Sequence, residues 1–220
     1  MIFKKYKNLN NGFTLVEVLV STMIFILFVT IALSALIISN SSAKRSVSIK
    51  TAIDNVQYSM ELFTRTARLG SMYTCFSANA GQITVDPTIG SNCTLGQGIA
   101  FFVLDPTVTP NQTDLYAYYL EKPVGGKGKI VRCVDRDIFS GAQPVMTPIN
   151  MDLLSMGGNC ISLTAKEIDI EKFDLDVNGT DPSDAYQPSI RVRTGGTVSI
   201  KNDQAPIYVQ TFISQRQYEQ

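Results

Sequence analysis

Near its start the chain has four residues whose types and order suit a defined chemistry: Gly12, Phe13, Thr14 and Glu17. Gly12 has no side chain, so a protease could approach the backbone closely at the bond that follows it. Thr14 and Glu17 stand three residues apart, which is the spacing of a capping pair that satisfies free backbone donors at a helix start. The pattern therefore suggests a cleavage point followed at once by a helix.

An apolar, uncharged segment of 21 residues follows Glu17, at residues 18–38. As a helix it would be about 31 Å long, close to the thickness of a bilayer core. Its polar residues are hydroxyls only: Ser21, Thr22, Thr30 and Ser34. A secretory signal has an apolar stretch of about 7–15 residues before its cleavage site, for which residues 41–43 would serve. This segment is too long for that, and a carboxylate at a membrane entrance is costly and usually functional.

A basic leader without acidic residues precedes Gly12, and its charged residues are Lys4, Lys5 and Lys7. Followed by glycine, an aromatic residue, a hydroxyl and a carboxylate, it closely resembles the class III leader of type IV prepilins and type II secretion pseudopilins. In that family a prepilin peptidase cuts after the residue matching Gly12, on the cytoplasmic side, and methylates the new amine at Phe13. The resemblance also implies that Glu17 pairs with the Phe13 amine of a neighbouring subunit. Capping of its own helix is the other interpretation of Glu17.

The chain continues without proline or glycine through residues 40–69. Apolar residues recur there at spacings of four, three, four, three and four, which is one helix face: Ile49, Ile53, Val56, Met60, Phe63 and Ala67. Gly70 is well placed as a helix stop. One helix is therefore predicted from about residue 13 to residue 69, with its second half docked on a sheet. A coiled coil is the alternative, for which the stripe is short.

Beyond Gly70 the pattern changes to short strands and turn residues, so we expect an α+β fold with a mostly antiparallel sheet. The predicted strands are residues 82–85, 98–104, 114–120, 129–134, 160–164, 167–177, 189–193, 197–200 and 207–214. The alternation within residues 167–177 reverses its phase, which predicts a β-bulge near Glu171 and Lys172. A short helix is expected at residues 150–155.

Four segments follow from these patterns: a leader removed on maturation (1–12), a membrane and filament-core helix (13–39), its amphipathic continuation (40–70) and a β-rich extracytoplasmic domain (71–220). The pattern of residues 160–216, a late hairpin with a terminal strand, more weakly resembles PilW-type minor pilins and J-type pseudopilins. That second resemblance implies a minor subunit.

All four cysteines lie beyond the apolar segment: Cys75, Cys93, Cys133 and Cys160. An even count in a part expected to face an oxidising compartment favours two disulfides, and the count alone allows three pairings. We favour joining the first to the second and the third to the fourth, because each pair then closes one loop rich in Gly, Pro, Asn or Ser. Zinc is the competing interpretation, but the chain has no histidine and no Cys-x-x-Cys spacing.

A partial calcium motif lies at Asp174, Asp176 and Asn178, which match the opening of an EF-hand loop. The complete loop needs a bidentate glutamate at its twelfth position, where this chain has Ala185. A solvated strand running into an Asn-Gly turn explains the same residues without metal. Calcium is kept as an alternative, and no other metal or cofactor is predicted.

Composition argues against an enzyme. The chain has no histidine and no tryptophan, and without the leader's three lysines it has 16 Lys and Arg against 19 Asp and Glu. The commonest general base and a basic nucleic-acid footprint are both missing, so we expect no catalytic residues and no direct nucleic-acid binding.

The leader resemblance implies a structural minor pilin or pseudopilin, which assembles into a type IV pilus-like, type II secretion or DNA-uptake filament. Before assembly it would be anchored in the cytoplasmic membrane with its domain outside. Its implied partners are the prepilin peptidase, an inner-membrane assembly platform and other pilin or pseudopilin subunits. The alternative is a membrane-tethered extracytoplasmic binding module or adhesin.

Overall fold

The computed structural model describes residues 12–76, 82–85, 90–104, 113–135, 149–152, 159–180, 187–200 and 203–215. The chain forms two compact units, Met1–Val47 and Ser48–Gln220, and each is described by itself. One helix, α1 (Leu15–Arg68), contributes residues to both units.

Helix α1 has 54 residues and agrees closely with the prediction of a helix over residues 13–69. It begins at Leu15, two residues later than predicted, because Thr14 precedes the helix and caps it. It ends at Arg68, and Gly70 already belongs to the first strand. Differences of one or two residues at helix ends are usual.

The strands of the described residues all follow α1. They are β1 (Gly70–Phe76), β2 (Gln82–Val85), β3 (Cys93–Gly96), β4 (Gly98–Leu104), β5 (Thr113–Glu121), β6 (Lys129–Asp135), β7 (Ile149–Asp152), β8 (Cys160–Ser162), β9 (Ile168–Asn178), β10 (Ser189–Ile200) and β11 (Asp203–Ser214). They form a five-stranded sheet in the order β1-β4-β5-β6-β8, a four-stranded sheet in the order β11-β10-β9-β3 and the pair β2-β7. Their recorded pairings are antiparallel, so the predicted α+β class is confirmed.

The core of the second unit lies between the second half of α1 and the two larger sheets. The helix contributes a buried stripe that includes Val56, Met60 and Phe63, close to the stripe expected from spacing. Both sheets belong to the same cluster, for example through Tyr118 of β5 and Phe173 of β9. The predicted docking of this helix half on a sheet is therefore confirmed.

The predicted β-bulge in β9 is present. In the register with β10, Lys172 faces Gly195 and Ile170 faces Gly196, so Glu171 has no direct partner. Gly196 is required at this point, because a Cβ there would lie 2.1 Å from the backbone oxygen of Asp169. The bulge lets apolar residues on both sides of it face the core.

Two expectations about secondary structure were wrong. A short helix was expected at residues 150–155, but Ile149–Asp152 is a strand that pairs with β2, and residues 153–155 lie outside the described residues. The strands expected at residues 189–193 and 197–200 form one strand, β10, because the intervening glycines still pair with both neighbours. Strands β1 and β3 were not predicted.

Candidate assembly site at the start of the helix

The Gly12–Phe13 junction is accessible. Gly12, Phe13 and Thr14 lie outside the helix and are exposed. A Cβ added at Gly12 would meet nothing within 4 Å, and the Phe13 side chain is 81% exposed. A protease can therefore reach the peptide bond at which the sequence predicts cleavage.

Thr14 begins the helix as its capping residue. Its backbone oxygen accepts hydrogen bonds from Glu17 N at 3.1 Å and Val18 N at 3.2 Å, and its Oγ1 lies 3.3 Å from Glu17 N. These contacts satisfy amide donors that have no partner within a helix. Half of the expected capping pair is thus in place, supplied by the threonine side chain.

The Glu17 carboxylate is exposed and has no hydrogen-bond or ion-pair partner among the described residues. Its backbone N–H takes part in the helix cap formed by Thr14, while its side chain does not. A carboxylate in this state can accept a cationic partner from outside the chain. Glu17 is therefore accessible to the partner that the resemblance implies, which is the amine of another subunit.

The apolar segment that follows is exposed along its length. Its large exposed side chains include Leu15, Val16, Leu19, Met23, Phe25, Phe28, Leu33, Leu36 and Ile37. By length and composition this part of α1 can cross a membrane, and none of it is buried within the chain. Hydroxyls of Thr22, Thr30 and Ser34 donate to backbone oxygens three or four residues earlier, so these polar groups are satisfied inside the helix.

These features define a protein with an exposed apolar N-terminal helix and a disulfide-bonded β-rich domain. The prokaryotic N-terminal methylation motif matches residues 7–33. The match supports a type IV pilin-like protein, of the pilin or pseudopilin type, and motif and helix together support membrane anchoring. No curated protein and no solved structure matches the chain. The finer resemblance to PilW-type and J-type subunits stays a prediction.

The first disulfide joins Cys75 to Cys93, in the pairing favoured from the sequence. Cys75 lies on β1 at one edge of the five-stranded sheet, and Cys93 lies on β3 at one edge of the four-stranded sheet. The bond therefore links the two larger sheets directly. Close packing surrounds it, since a Cβ added at Gly96 would lie 3.2 Å from the Cys93 sulfur.

The second disulfide joins Cys133 to Cys160, which face each other across β6 and β8. Cys133 is fully buried, in a second apolar cluster that includes Phe102 and Tyr119. Because β8 has only three residues and pairs only with β6, the disulfide strengthens a short edge strand. The described residues contain no free cysteine.

The calcium hypothesis gains no support from the described residues. The two carboxylate oxygens of Asp176 are both engaged, one by Leu95 N at 3.1 Å and the other by Arg193 Nη2 at 3.0 Å. Asn178 ends β9, and Gly179 follows it with a φ of +74°, as a turn requires. Asp174 lies on the outer face of the sheet. The described part of the chain contains no group of three or more acidic, histidine or cysteine residues placed to hold a metal.

Polar anchors along the second half of α1 were not predicted. Ser59 is fully buried, and its hydroxyl lies 2.9 Å from the backbone oxygen of Leu163. One turn earlier, Asn55 accepts the Ala165 N–H through its side-chain oxygen at 3.0 Å. The only sequence signal is that Ser59 falls within the apolar stripe, between Val56 and Met60. Its partner lies 104 residues away in sequence.

Tyr73 anchors the C-terminal end of α1. Its buried hydroxyl lies 2.6 Å from the backbone oxygen of Ala67 and 2.8 Å from that of Gly70, and Gln215 donates to the Gly70 oxygen at 2.8 Å. Carbonyls at a helix end have no partner within the helix, and these contacts supply one. Burial raises the pKa of the Tyr73 phenol well above its ordinary value, so the hydroxyl remains a donor.

Proposed function

We propose that this protein is a structural subunit, a minor pilin or pseudopilin, that enters a type IV pilus-like, type II secretion or DNA-uptake filament through its N-terminal helix. The observation that carries the proposal is the exposed apolar surface of α1, from Leu15 to Ile38, behind an accessible Gly12–Phe13 bond. Such a surface needs either a bilayer or other apolar helices around it. Membrane anchoring followed by assembly would provide both in turn.

In the membrane stage, the apolar segment would cross the cytoplasmic membrane with the second unit outside. The two disulfides support an extracytoplasmic location of the second unit, because disulfides persist in oxidising compartments. Glu17 would lie near the cytoplasmic boundary, where water reaches its carboxylate and the cost of its charge is small. The prepilin peptidase would cut and methylate at the same boundary.

In the filament stage, water would be removed from around Glu17. An ionised carboxylate without a partner would then cost several kcal/mol. The Phe13 amine of a neighbouring subunit would supply the missing positive charge and set the axial register of two otherwise apolar helices. The Glu17 carboxylate has no partner among the residues that the structure describes, which supports this role. The assembly platform and other subunits would be the partners, and no catalytic activity is proposed.

Two measurements test the proposal. Intact-mass analysis of membrane-extracted protein should show loss of the first 12 residues and one added methyl group at Phe13. Retention of Met1 would contradict filament entry, as would a mature start at Lys44, and either result would favour the tethered binding module.

The second measurement compares glutamates of α1 by substitution. Glu17→Ala should leave leader cleavage intact and yield processed protein that does not enter filaments. Glu61→Ala is the matched control, because Glu61 is also an exposed glutamate of α1 but lies in the second unit and pairs with Arg65. This control should assemble normally. If Glu17→Ala assembles as well as the unmodified protein, the charge pair is wrong and capping becomes the better explanation.

A further inference from the structure

The four-stranded sheet has two faces of different character. One face contributes residues such as Phe173, Val192 and Ile213 to the core that contains the second half of α1. The opposite face presents Tyr208 and Phe212, whose side chains are 80% and 59% exposed. The filament proposal gives this outer face no role.

A cavity of about 320 Å³ opens on the outer face. Lys172 of β9, Gly195 of β10 and Tyr208 of β11 lie side by side there in the register of the sheet. A Cβ added at Gly195 would lie 3.0 Å from two ring carbons of Tyr208, so the ring lies against the glycine backbone. The missing side chain at Gly195 therefore makes room for the Tyr208 ring. The volume is at the lower end of the range for small-molecule sites, about 300–1,000 Å³.

Polar side chains occupy the next row of the same face: Asp174, Arg193 and Gln210. Arg193 uses Nη2 to bind Asp176 at 3.0 Å, while its buried Nε has no hydrogen-bond partner in the described part of the chain. A buried donor without a partner is costly and uncommon. The carboxylate, guanidinium and amide together offer both donors and acceptors beside the exposed ring.

Charges of both signs lie at the cavity. Lys172 and Arg193 carry positive charge, and Asp174 and the neighbouring Asp176 carry negative charge. Nucleic acids bind where positive charge is in excess, so this surface does not suit a polyanion. Donors and acceptors mixed in this way, without a large excess of one charge, suit an uncharged ligand that bears many hydroxyl groups.

We propose that this cavity binds a pyranose residue of a neutral saccharide. The face of an aromatic ring is negative, so the Tyr208 ring attracts the weakly positive C–H groups on one side of a sugar ring. The Tyr208 side chain, which lies against Gly195, is 80% exposed, so a sugar ring can stack on it, and the polar row beside it can bind the hydroxyl groups. The inference goes beyond the filament role and does not depend on it.

Saturation-transfer NMR on the mature full-length chain in lipid nanodiscs tests this inference, since nanodiscs avoid the sugar head groups of glycoside detergents. The probes are cellobiose, maltose, lactose and diacetylchitobiose, with sialyllactose and a thymidine oligonucleotide as charged comparators. At least one neutral disaccharide should receive saturation, most strongly at its ring C–H protons. Absence of signal from all four neutral disaccharides would overturn the proposal.

Variants then locate the binding. Tyr208→Ala should weaken affinity by about tenfold or more, as expected for loss of one stacking platform, while Tyr208→Phe should retain it. Phe212→Ala is the matched control, because Phe212 is an exposed aromatic residue on the same strand and face but outside the cavity. Unfolding midpoints equal to that of the unmodified protein verify folding. Binding that survives Tyr208→Ala, or that is stronger for the charged comparators, would refute a neutral-saccharide site.

Discussion

The two halves of α1 place the same residue type in opposite surroundings. Phe25 in the first half is 68% exposed, whereas Phe63 in the second half is 1% exposed. Phe63 packs edge-on against Tyr118 and Phe101, with ring centroids 4.9 and 6.3 Å apart. The apolar face of the second half is thus covered by the chain's own β-rich domain. The apolar surface of the first half needs partners from outside the chain to cover it.

Polar residues of the two halves differ in the same way. Thr22 and Thr30 in the first half bond to backbone oxygens of their own helix. Asn55 and Ser59 in the second half reach backbone groups near residue 165, far away in sequence. Those long-range bonds fix how the second half lies on its sheets. In the first half, the Glu17 carboxylate has no partner among the described residues, and we propose that it sets the register with a neighbouring subunit.

The largest effect that separates the halves should come from truncating phenylalanine. Phe63→Ala removes a buried ring and should lower the free energy of unfolding of the second unit by about 3–5 kcal/mol. Phe25→Ala, the matched control in the same helix, should change it by less than about 0.5 kcal/mol. Urea unfolding of the full chain in micelles measures both. Similar losses for both variants would mean that the first half is also part of the folded core.

Reducing the disulfides should have the next largest effect, confined to the second unit. A crosslink that closes a loop of about 15 residues stabilises by roughly 3 kcal/mol in the chain-entropy model, and Cys75 and Cys93 are 18 residues apart. Reduction should therefore lower the unfolding midpoint of this unit without changing the helicity of the first. Thiol labelling of the non-reduced, denatured protein should find no reactive cysteine. Four reactive thiols would contradict an extracytoplasmic domain.

Sequence reasoning succeeded where a pattern is local. The uncharged apolar run and the stripe around Val56 and Phe63 predicted α1, and the phase reversal at Glu171 predicted the bulge. It failed at β1 and β3, whose pairings both contain register shifts. Residues Met72 and Leu95 have a φ of 56° in these strands, so their side chains do not alternate as strand patterns require.

Other features depend on partners distant in sequence. Strand β7 is formed by pairing with β2, and residues 149–152 alone do not reveal that partner. Ser59 looks like a weak interruption of an apolar stripe until Leu163 is placed beside it. At the candidate assembly site, by contrast, the motif is contiguous along the chain, so Gly12, Phe13 and Glu17 could be predicted without any tertiary information.

A smaller effect should appear at the end of the second half, where the Tyr73 hydroxyl contacts the carbonyl of Ala67 in the last turn of α1 and that of Gly70 just beyond it. Tyr73→Phe removes a buried donor and should cost about 1–3 kcal/mol at pH 7. Burial raises the pKa of Tyr73 above 10.0, so the folded state keeps a proton that the unfolded chain releases. The contribution of Tyr73 to the free energy of unfolding is thus fully present below pH 10, and it decreases as the pH rises above 10.

The difference in free energy of unfolding between Tyr73→Phe and the unmodified protein should therefore be smaller at about pH 11 than at pH 7. Urea unfolding at both pH values measures it. The Tyr73→Phe variant should still lose some stability between pH 7 and pH 11, because burial also raises the pKa of Tyr118 and Tyr119. A constant difference at both pH values would mean that the Tyr73 phenol is not protected from ionisation.

The smallest effect should lie at the start of the first half, where Thr14 caps the helix. Thr14→Ala removes the Oγ1 contact to Glu17 N and should cost about 0.5–2 kcal/mol, while Thr14→Ser should retain the cap. Because the side chains around it are exposed, the loss should stay local. A cost of 1 kcal/mol would speed amide exchange at Glu17 and Val18 by about fivefold, with no change in the unfolding midpoint of the second unit.

Thr14→Ala also separates the two interpretations of Glu17. If Glu17 acts through its charge, Thr14→Ala leaves the carboxylate and the Phe13 amine in place and should reduce filament assembly much less than Glu17→Ala. If Glu17 acts only by capping its own helix, the two variants weaken the same helix start and should reduce assembly alike. Filament yield from cells that express each variant at equal levels decides between them. Equal assembly defects would contradict the intermolecular charge pair. Apolar packing would then be the only interaction proposed between the first half of α1 and its neighbours.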